Sequence, residues 1–337
     1  MNQDLEALRR FSAAIGADPT VVQAAGGNTS VKIDDTLWVK ASGLQLKDAL
    51  KEDVFVPLRL SGVRHRIETG EDEPAKPEVL QGTLRPSIET SLHALLPHKF
   101  VSHTHSVAGI AFAAAKDGKE RIAPRLDGLA WHWIPYVMPG VPLTRAVARA
   151  MAGQAADVLV LENHGIVYGA ETAEALEELH RELEARLALP TAPAGKPDLP
   201  ALQRLLEVSP GWRLPVHAKV HEVALDHRRL ALATGGVGWP DHAIFLADRV
   251  AAYAADVVSI PVDERAKLVL IEGVGSLVKA DLGASGDELA LCLALVLERF
   301  PADAEIVYLP EHEVAALMGW EAEAYRQKLA KERAGGA

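Results

Sequence analysis

The spacing of apolar side chains predicts that helices and short strands alternate along the chain. Residues 3–15 have the periodicity of an amphipathic helix. Segments 30–33 and 36–40 predict short strands, and Asp34 and Asp35 between them are typical of a hairpin turn. We therefore expect a helix followed by a β-hairpin at the start of the chain.

Further elements are predicted up to residue 189. The segment KFVSHTH predicts a strand, VAGIAFAAAK a helix, and AADVLVLENHGIVYGA two strands joined by a turn. A short helix is predicted to begin at Ser87 and a long one to run from Thr172 to Leu189, whereas the polar, proline-containing residues 61–86 predict a loop. Helices interspersed with hairpins favour an α/β fold with a largely antiparallel sheet.

A proline-rich segment divides the chain. Residues 189–200 contain four prolines, each of which lacks a backbone donor, so we place a domain boundary near residue 195. The length of 337 residues is also typical of two domains. The first domain, 1–195, contains the elements described above. The second, 196–337, is predicted to be a smaller α/β domain with strands at 229–234, 243–247, 257–260, 267–272 and 305–309 and helices near 285–299 and 311–333.

The composition excludes several classes of protein. A net charge of −11 argues against a nucleic-acid partner, although a local positive site could still bind a small anion. The single cysteine, Cys292, excludes a disulfide framework and a thiolate metal cluster, so a metal would need nitrogen and oxygen ligands. The amphipathic first helix lacks a signal-peptide core, and the longest apolar run, 289–297, is far shorter than the about 20 residues of a membrane span. We expect a cytoplasmic protein without a membrane partner.

Three histidines are candidate metal ligands. His103 and His105 are two residues apart on a predicted strand, so their side chains would face the same side. His164 follows a buried apolar strand in the turn ENHG, where Gly165 allows a sharp change of direction. Each could also be an ordinary structural histidine. Together they match the ligand set of an open catalytic zinc site, which leaves one position for substrate.

Glu89 is the candidate carboxylate. It lies early in its predicted helix, where the helix dipole favours the ionised form, and beside a metal it could be a ligand, a proton carrier or both. It could also be a common N-terminal helix charge. His93 lies one turn later on the same face, and we give it a structural interpretation. His217, His221 and Glu222 lack the His-Glu-x-x-His spacing, so we interpret those histidines as structural too.

Two turns rich in small residues could bind an anion. Backbone N–H groups of such turns can converge on a negative charge, and segments 25–30 and 41–43 have this composition. Side-chain donors and positive charges there are supplied by Asn28, Thr29, Ser30, Ser42, Ser87, Lys32 and Lys40. Neither segment has the spacing of a Walker loop or a dinucleotide fingerprint, and both could be plain turns.

The motifs GGNTSVK, LWVKASG, RPSIETSLH, SHTH and ENHG occur in this order between residues 26 and 165. With them, roughly residues 5–190 resemble the class II aldolase/adducin family, in particular the aldolase part of the bifunctional rhamnulose-1-phosphate aldolase/alcohol dehydrogenases. The resemblance implies a three-layer α/β/α fold with a mostly antiparallel central sheet. It also implies a bound Zn²⁺, with Mn²⁺ or Co²⁺ as alternatives, and a homo-oligomer, by family analogy a tetramer.

The resemblance assigns roles to individual residues. It implies metal ligands at His103, His105 and His164, and a catalytic carboxylate at Glu89 that binds the metal at rest and then moves protons. The predicted substrate- and phosphate-binding positions are Gly27, Asn28, Thr29, Ser42, Gly43 and Ser87. This chain departs from the family where Ile88 replaces a second serine. The dehydrogenase part has no counterpart in the sequence, so no dehydrogenase activity is expected.

The predicted function is that of a metal-dependent aldolase. It would cleave a ketose, such as rhamnulose- or fuculose-1-phosphate, through a metal-stabilised enediolate. The family takes its catalytic acid from a tyrosine, for which Tyr136 is the candidate, although Tyr136 could also be a core or interface residue. An epimerase or a decarboxylase could use the same metal site, and an adducin-like assembly module is the non-catalytic alternative. The expected partner is a small sugar or sugar phosphate.

Overall fold

The computed structural model describes residues 2–320, which form two compact units. The first unit contains the residues up to 109 together with 119–188, and the second contains 110–118 together with the residues from 189 onward. The boundary of independently folding domains near residue 195 stays a prediction. Among the described helices, none is both long and apolar enough to cross a lipid bilayer.

A mixed sheet forms the centre of the first unit. Its strands are β1 (Asn28–Ile33), β2 (Thr36–Lys40), β3 (Phe55–Arg59), β4 (Phe100–Thr104), β5 (Trp131–Ile134), β6 (Val158–Leu161) and β7 (Gly165–Ala170). Within residues 2–320 their order across the sheet is β3-β2-β1-β4-β7-β6-β5. Neighbouring strands of this sheet are antiparallel except for the parallel pair β5 and β6. The predicted α/β fold with a mostly antiparallel sheet is confirmed.

Two groups of helices pack on this sheet. The helices up to residue 187 are α1 (Gln3–Gly16), α2 (Leu60–Glu68), α3 (Thr90–Leu95), α4 (Val107–Ala113), α5 (Gly118–Ile122), α6 (Val141–Met151) and α7 (Ala173–Leu187). Helices α1 and α7 pack on each other and on β1, β4 and β7, whereas α2, α3 and α6 form a second group on β2, β3 and β5. The predicted three-layer arrangement is therefore present. As predicted, Thr172 caps α7, because its side chain accepts a hydrogen bond from the backbone N–H of Ala175.

The second unit has a smaller sheet. Its strands are β8 (Trp212–Arg213), β9 (Ala251–Tyr253), β10 (Leu268–Ile271) and β11 (Gly275–Lys279). Its helices are α8 (Leu199–Glu207), α9 (Glu222–Leu225), α10 (His227–Thr234), α11 (Pro240–Leu246), α12 (Ala284–Arg299) and α13 (Glu311–Gly319). Within the described part, the order across the sheet is β8-β11-β10-β9. Leu202, Trp212, Val269 and Leu277 belong to its apolar core.

Most of the strands predicted for the second unit are wrong. The segments that form no strand of a sheet are 229–234, 243–247, 257–260 and 305–309. The first two lie in α10 and α11. Every residue of α11 is buried, so its apolar run has no helical periodicity and resembles a buried strand. The predicted strand at 267–272 and helix at 285–299 are confirmed by β10 and α12.

Two further predicted boundaries differ from the structure. The segment 61–86 was expected to be a loop, but its first residues belong to α2. Only Leu60 and Val63 of this helix are buried, so its sequence has too few apolar positions to indicate a helix. The predicted helix at 311–333 is present from residue 311 to 319 as α13, and its part beyond residue 320 lies outside the described residues.

The second sheet repeats the pairing of four strands of the first. Strand β8 is antiparallel to β11, β11 is antiparallel to β10, and β10 is parallel to β9. This is the pairing of β4, β7, β6 and β5. The two hairpins also close at equivalent pairs, Leu161 opposite Gly165 and Ile271 opposite Gly275. The two sheets therefore share a topology that we did not predict from the sequence.

Candidate functional site

The fold brings the three predicted histidines together. His103 lies on β4, His105 directly follows that strand, and His164 lies in the turn between β6 and β7. The ring of His103 lies 4.9 Å from each of the other two rings, which are 5.2 Å apart, measured between centroids. One ring nitrogen of each residue lies within 4.8 Å of the others, and all three side chains are buried. Within the described part of the chain, no other group of histidine, cysteine and acidic side chains is compact enough to hold a metal ion.

The nitrogen atoms of this cluster suit a divalent metal. The Nδ1 atom of His103 lies 3.1 Å from the backbone oxygen of Ile166, which can only accept a hydrogen bond, so Nδ1 carries the proton and Nε2 is the nitrogen that can bind a metal. The Nε2 atoms of His103 and His105 are 3.1 Å apart. Two imidazole nitrogens on one tetrahedral Zn²⁺ would be about 3.3 Å apart. The donor set therefore fits the metal that the sequence predicted.

Gly165 allows the β6–β7 turn to approach β4 closely. A Cβ atom at this position would lie 2.4 Å from the backbone oxygen of Thr104 and 3.3 Å from atoms of the His103 and His105 rings. Real Cβ atoms do not come that close to a backbone oxygen. A residue with any side chain would therefore push His164 away from the other two histidines.

Glu89 completes the cluster. It is buried at the residue that precedes α3, with Oε2 at 3.4 Å from Nε2 of His103 and Oε1 at 3.8 Å from Nε2 of His164. Burial by itself raises the pKa of Glu89, but His103, His164 and the amide of Asn28 outweigh it and lower that pKa to about 2. The carboxylate is therefore ionised. Its Oε1 atom has no hydrogen-bond partner among the described residues, so this oxygen is available to a cation or to a substrate proton.

Asn28 contacts Glu89 directly. Its Nδ2 atom donates a hydrogen bond to Oε2 of Glu89 at 2.8 Å, and its Oδ1 atom is hydrogen-bonded to Nε2 of His93. The ladder between β1 and β4 places Asn28 opposite His103, which explains why the two side chains reach the same site. Our sequence prediction assigned Asn28 to an anion, and the structure shows that its side chain is engaged with a carboxylate.

Of the two small-residue turns, the second, residues 41–43, is hydrogen-bonded to the segment that contains Ser87. The backbone N–H of Ser42 donates to the oxygen of Arg85 at 2.8 Å, and that of Ser87 donates to the oxygen of Lys40 at 3.1 Å. The hydroxyl of Ser87 accepts a hydrogen bond from the N–H of Glu89. Predicted anion-binding groups in the second turn therefore lie beside the candidate carboxylate.

Lys40 connects these turns, a role that sequence reasoning missed. Its buried ammonium group donates to the backbone oxygen of Ala25 at 2.8 Å and to that of Leu44 at 2.7 Å. Gly27 and Gly43 lie in the connected segments and have φ angles of +59° and +77°, which L-residues with side chains rarely adopt. A lysine on the last position of a strand gave no sequence signal for such a cross-link.

Thr29 does not face the cluster. Its hydroxyl lies 2.7 Å from the hydroxyl of Ser12 on α1, and so points to the other face of the sheet. Tyr136 follows β5, and its backbone N–H donates to the carboxylate of Glu162 at 2.9 Å. The catalytic role of Tyr136 stays a prediction.

The second candidate group of histidines has ordinary structural partners. Nδ1 of His221 accepts a hydrogen bond from the backbone N–H of Ser276 at 3.0 Å. Glu222 forms ion pairs with Lys219 and Arg229, each at 2.9 Å. These contacts agree with the structural interpretation made from the sequence.

Comparison with known proteins gives one family. Residues 11–189, more than half of the chain, match the family described as Class II Aldolase and Adducin N-terminal domain. A curated relative, the uncharacterized oxidoreductase YuxG of Bacillus subtilis (strain 168), is 37% identical over 187 residues. That match covers 50% of this chain but only 27% of the relative, so the chain spans about a quarter of the relative's length.

Solved structures give more distant matches. The N-terminal class II aldolase domain of a conserved protein from Thermoplasma acidophilum is 27% identical, with a TM-score of 0.49, and the match covers 56% of this chain and 93% of that one. An L-fuculose 1-phosphate aldolase is 18% identical, with a TM-score of 0.42, and the match covers 56% of this chain and 84% of that one.

Proposed function

Because this chain belongs to the class II aldolase and adducin family, we propose that it is a metal-dependent aldolase that cleaves a ketose, preferably a ketose 1-phosphate. The observation that supports this proposal is the buried cluster of His103, His105, His164 and Glu89. Three imidazoles and a carboxylate with one unbonded oxygen suit the chemistry of charge stabilisation and proton transfer in one place.

We propose Zn²⁺ as the metal, since nitrogen ligands in a small, buried site favour it over ions that prefer oxygen ligands. His103, His105 and His164 would hold the ion, with Glu89 as a fourth group. A divalent cation held there supplies Lewis acidity for the negative charge that builds up on a carbonyl oxygen when a carbon–carbon bond breaks.

Glu89 is the group that we assign to proton transfer. Its carboxylate is ionised, so it can take up a proton from the substrate and return it later in the reaction. The amide of Asn28 holds Oε2. This leaves Oε1 as the oxygen that exchanges the proton.

The neighbouring turns would bind the phosphate of a ketose 1-phosphate. Gly27, Ser42, Gly43 and Ser87 lie in segments that Lys40 and two backbone hydrogen bonds hold together. Small residues allow a phosphate to approach the backbone N–H groups. The side chains of Asn28 and Thr29 are engaged elsewhere, so we propose that Ser42 and Ser87 supply the hydroxyl donors.

The remaining parts of the proposal follow from the family. We infer a homo-oligomeric cytoplasmic enzyme, with Tyr136 as the candidate acid for the aldehyde oxygen. By microscopic reversibility, the acid that protonates this oxygen in the condensation direction also removes its proton in the cleavage direction. Tyr136 would therefore act at the aldehyde oxygen, and Glu89 at the enediolate carbon.

The test combines metal analysis with a substrate screen. The purified protein is expected to contain bound Zn²⁺ and to release an aldehyde from at least one compound in a panel of ketose 1-phosphates and free ketoses. The His103→Ala/His105→Ala double variant should lose the metal and the activity. Full activity in that variant, or after thorough chelation, would contradict the proposal. A product with all its carbons retained would indicate an epimerase instead, and release of CO₂ a decarboxylase.

A Glu89→Gln variant separates metal binding from proton transfer. Glutamine preserves the shape of the side chain but removes the charge and the exchangeable site. We expect the three histidines to retain the metal while turnover falls by a factor of about 10² to 10⁴. Turnover within a factor of two of the unmodified protein would show that Glu89 does not carry the proton.

A further inference from the structure

His93 is a buried histidine that is hydrogen-bonded at both ring nitrogens. It lies on α3, one turn after Glu89, and its side chain is fully buried. Nδ1 lies 2.7 Å from the hydroxyl of Ser30, and Nε2 is hydrogen-bonded to Oδ1 of Asn28. Alternation along β1 places both Asn28 and Ser30 on the face of the sheet that α3 covers. The ring therefore bridges two side chains of one strand.

The partners of His93 define the direction of each hydrogen bond. The Oδ1 atom of Asn28 can only accept, so Nε2 of His93 must carry a proton. Burial lowers the pKa of His93 to about 3, so the ring is neutral and has one proton only. Nδ1 is then an acceptor, and the hydroxyl of Ser30 must donate to it. Ser30 therefore donates a hydrogen bond to His93, His93 donates one to Asn28, and Asn28 donates one to Glu89.

These hydrogen bonds are compatible with only one orientation of the Asn28 amide. With Oδ1 held by the N–H of His93, the Nδ2 atom faces Oε2 of Glu89 at 2.8 Å. A rotation of the amide by half a turn would place its oxygen against the carboxylate and its NH₂ group against an N–H donor. Both contacts would be repulsive, so the His93 ring selects the orientation in which Asn28 holds Glu89.

We propose that His93 is a positioning residue that acts through Asn28 to hold Glu89 in its working orientation. The proposal rests on the proposed function only in so far as it concerns turnover, because the orientation of Glu89 can also be measured without a substrate. A fixed Oε2 leaves Oε1 directed towards His164, 3.8 Å away. Loss of the fixed contact would let the carboxylate rotate, and misplacement of a catalytic group by about 1 Å can reduce turnover about 10²-fold.

The first variants change the donor that His93 gives to Asn28. His93→Phe keeps a ring but removes both nitrogens, whereas His93→Gln offers an amide N–H that can replace Nε2–H. His242→Phe is the matched control, because His242 is also a fully buried histidine but belongs to the second unit. Thermal unfolding of all three variants shows whether the loss of a buried imidazole alone explains an effect.

The readout that needs no substrate is the visible spectrum of the Co²⁺-loaded protein. Its absorption bands depend on the number and geometry of the ligands, so they report whether Glu89 keeps its place. We expect shifted bands in His93→Phe, bands near the original in His93→Gln, and unchanged bands in His242→Phe. With an active enzyme, kcat should fall about 10²-fold in His93→Phe with little change of KM. The kcat of His93→Gln should be at least about tenfold higher than that of His93→Phe.

The outcomes separate this proposal from the proposed function. If no sugar is cleaved, the aldolase proposal fails while the Co²⁺ spectra still test His93. Unchanged spectra in a folded His93→Phe variant overturn the positioning role. If His93→Phe does not fold, His93→Leu decides, because leucine fits a buried position with less bulk and offers no N–H donor to Asn28. A shifted Co²⁺ spectrum in His93→Leu supports the proposal, and an unchanged one overturns it.

Discussion

The absence of a side chain at Gly165 sets the distance between two parts of the candidate site. The β6–β7 turn carries His164, whereas His103 lies on β4 and His105 directly follows it. Because a Cβ atom at residue 165 would lie only 2.4 Å from the backbone oxygen of Thr104, even one methyl group must separate the turn from β4. The site therefore depends on a residue that offers no ligand atom.

We expect Gly165→Ala to weaken metal binding. Displacement of His164 should reduce the affinity for Zn²⁺ by a factor of about 10 to 100, and overpacking should lower the free energy of unfolding by about 1–3 kcal/mol. Competition with a chromophoric chelator measures the first quantity and denaturant unfolding the second. Gly153→Ala is the control, because a Cβ atom there meets nothing within 4 Å. Equal affinities in the two variants would contradict the role given to Gly165.

Lys32 gives the protein a pH-dependent stability. Its buried ammonium group donates to the backbone oxygen of His98 at 2.5 Å. Burial is the main cause that lowers the pKa of Lys32 from 10.5 to about 7, with Arg64 acting in the same direction and Glu171 against it. Between these two pH values the unfolded chain binds a proton that the folded chain does not bind. The free energy of unfolding therefore rises with pH across that window.

A Lys32→Met variant should lack this dependence. We expect the free energy of unfolding of the variant, relative to that of the natural chain, to be greatest below about pH 7 and to decrease steadily towards pH 10. The reason is that burial of a charged ammonium group destabilises only the natural chain, and this cost disappears as the pH rises. Denaturant unfolding at several pH values measures the difference. Lys51→Met, at an exposed position, controls for the loss of one positive charge. A constant difference between Lys32→Met and the natural chain would show that Lys32 is charged throughout.

Alternation along β1 assigns neighbouring residues to different tasks. Asn28 and Ser30 face α3 and the candidate site, whereas Thr29 between them faces α1 and bonds to Ser12. Successive side chains of a strand point to opposite faces of the sheet, so a motif such as GGNTS cannot direct all of its polar side chains to one ligand. The motif combines site residues with a residue that holds a helix in place.

Thr29→Val should therefore affect stability and not substrate binding. Valine has nearly the same shape but lacks the hydroxyl, and Ser12 keeps its hydrogen bond to the backbone oxygen of Leu8. We expect a loss of about 1 kcal/mol in the free energy of unfolding and an unchanged KM for a phosphorylated substrate. Ser42→Ala should behave in the opposite way, with a raised KM and nearly unchanged stability. A raised KM in Thr29→Val would contradict this expectation and would indicate that Thr29 contributes to phosphate binding.

The sequence predicted the elements of the first unit better than those of the second. Hairpin residues Asp34 and Asp35 and the cap at Thr172 are local signals, and each predicted the correct boundary. Helix α11 gave no such signal because it is buried on all sides. The cross-link made by Lys40 and the bridge made by His93 depend on contacts between distant segments, so no spacing along the chain could reveal them.

The two units differ in the chemistry of equivalent positions. His164 and Val274 both precede the glycine that opens the second strand of their hairpin. The ladder pairs His103 with Val167, whereas β8, the strand equivalent to β4, ends at Arg213, one residue before the corresponding position. The second unit thus has a valine, which offers no ligand atom, at the position equivalent to His164.

We expect one metal ion per chain. Elemental analysis of the fully loaded natural protein should give one equivalent of Zn²⁺, because Val274 offers no ligand atom and the second unit supplies no alternative cluster among the described residues. The His164→Ala variant should bind the ion far more weakly, whereas Val274→Ala, the equivalent change in the second unit, should leave the stoichiometry at one. Two equivalents in the natural protein, or one tightly held ion in a His103→Ala/His105→Ala/His164→Ala variant, would place a metal outside the histidine cluster. A single equivalent that His164→Ala releases and Val274→Ala retains would instead assign the metal chemistry of the chain to the first unit alone.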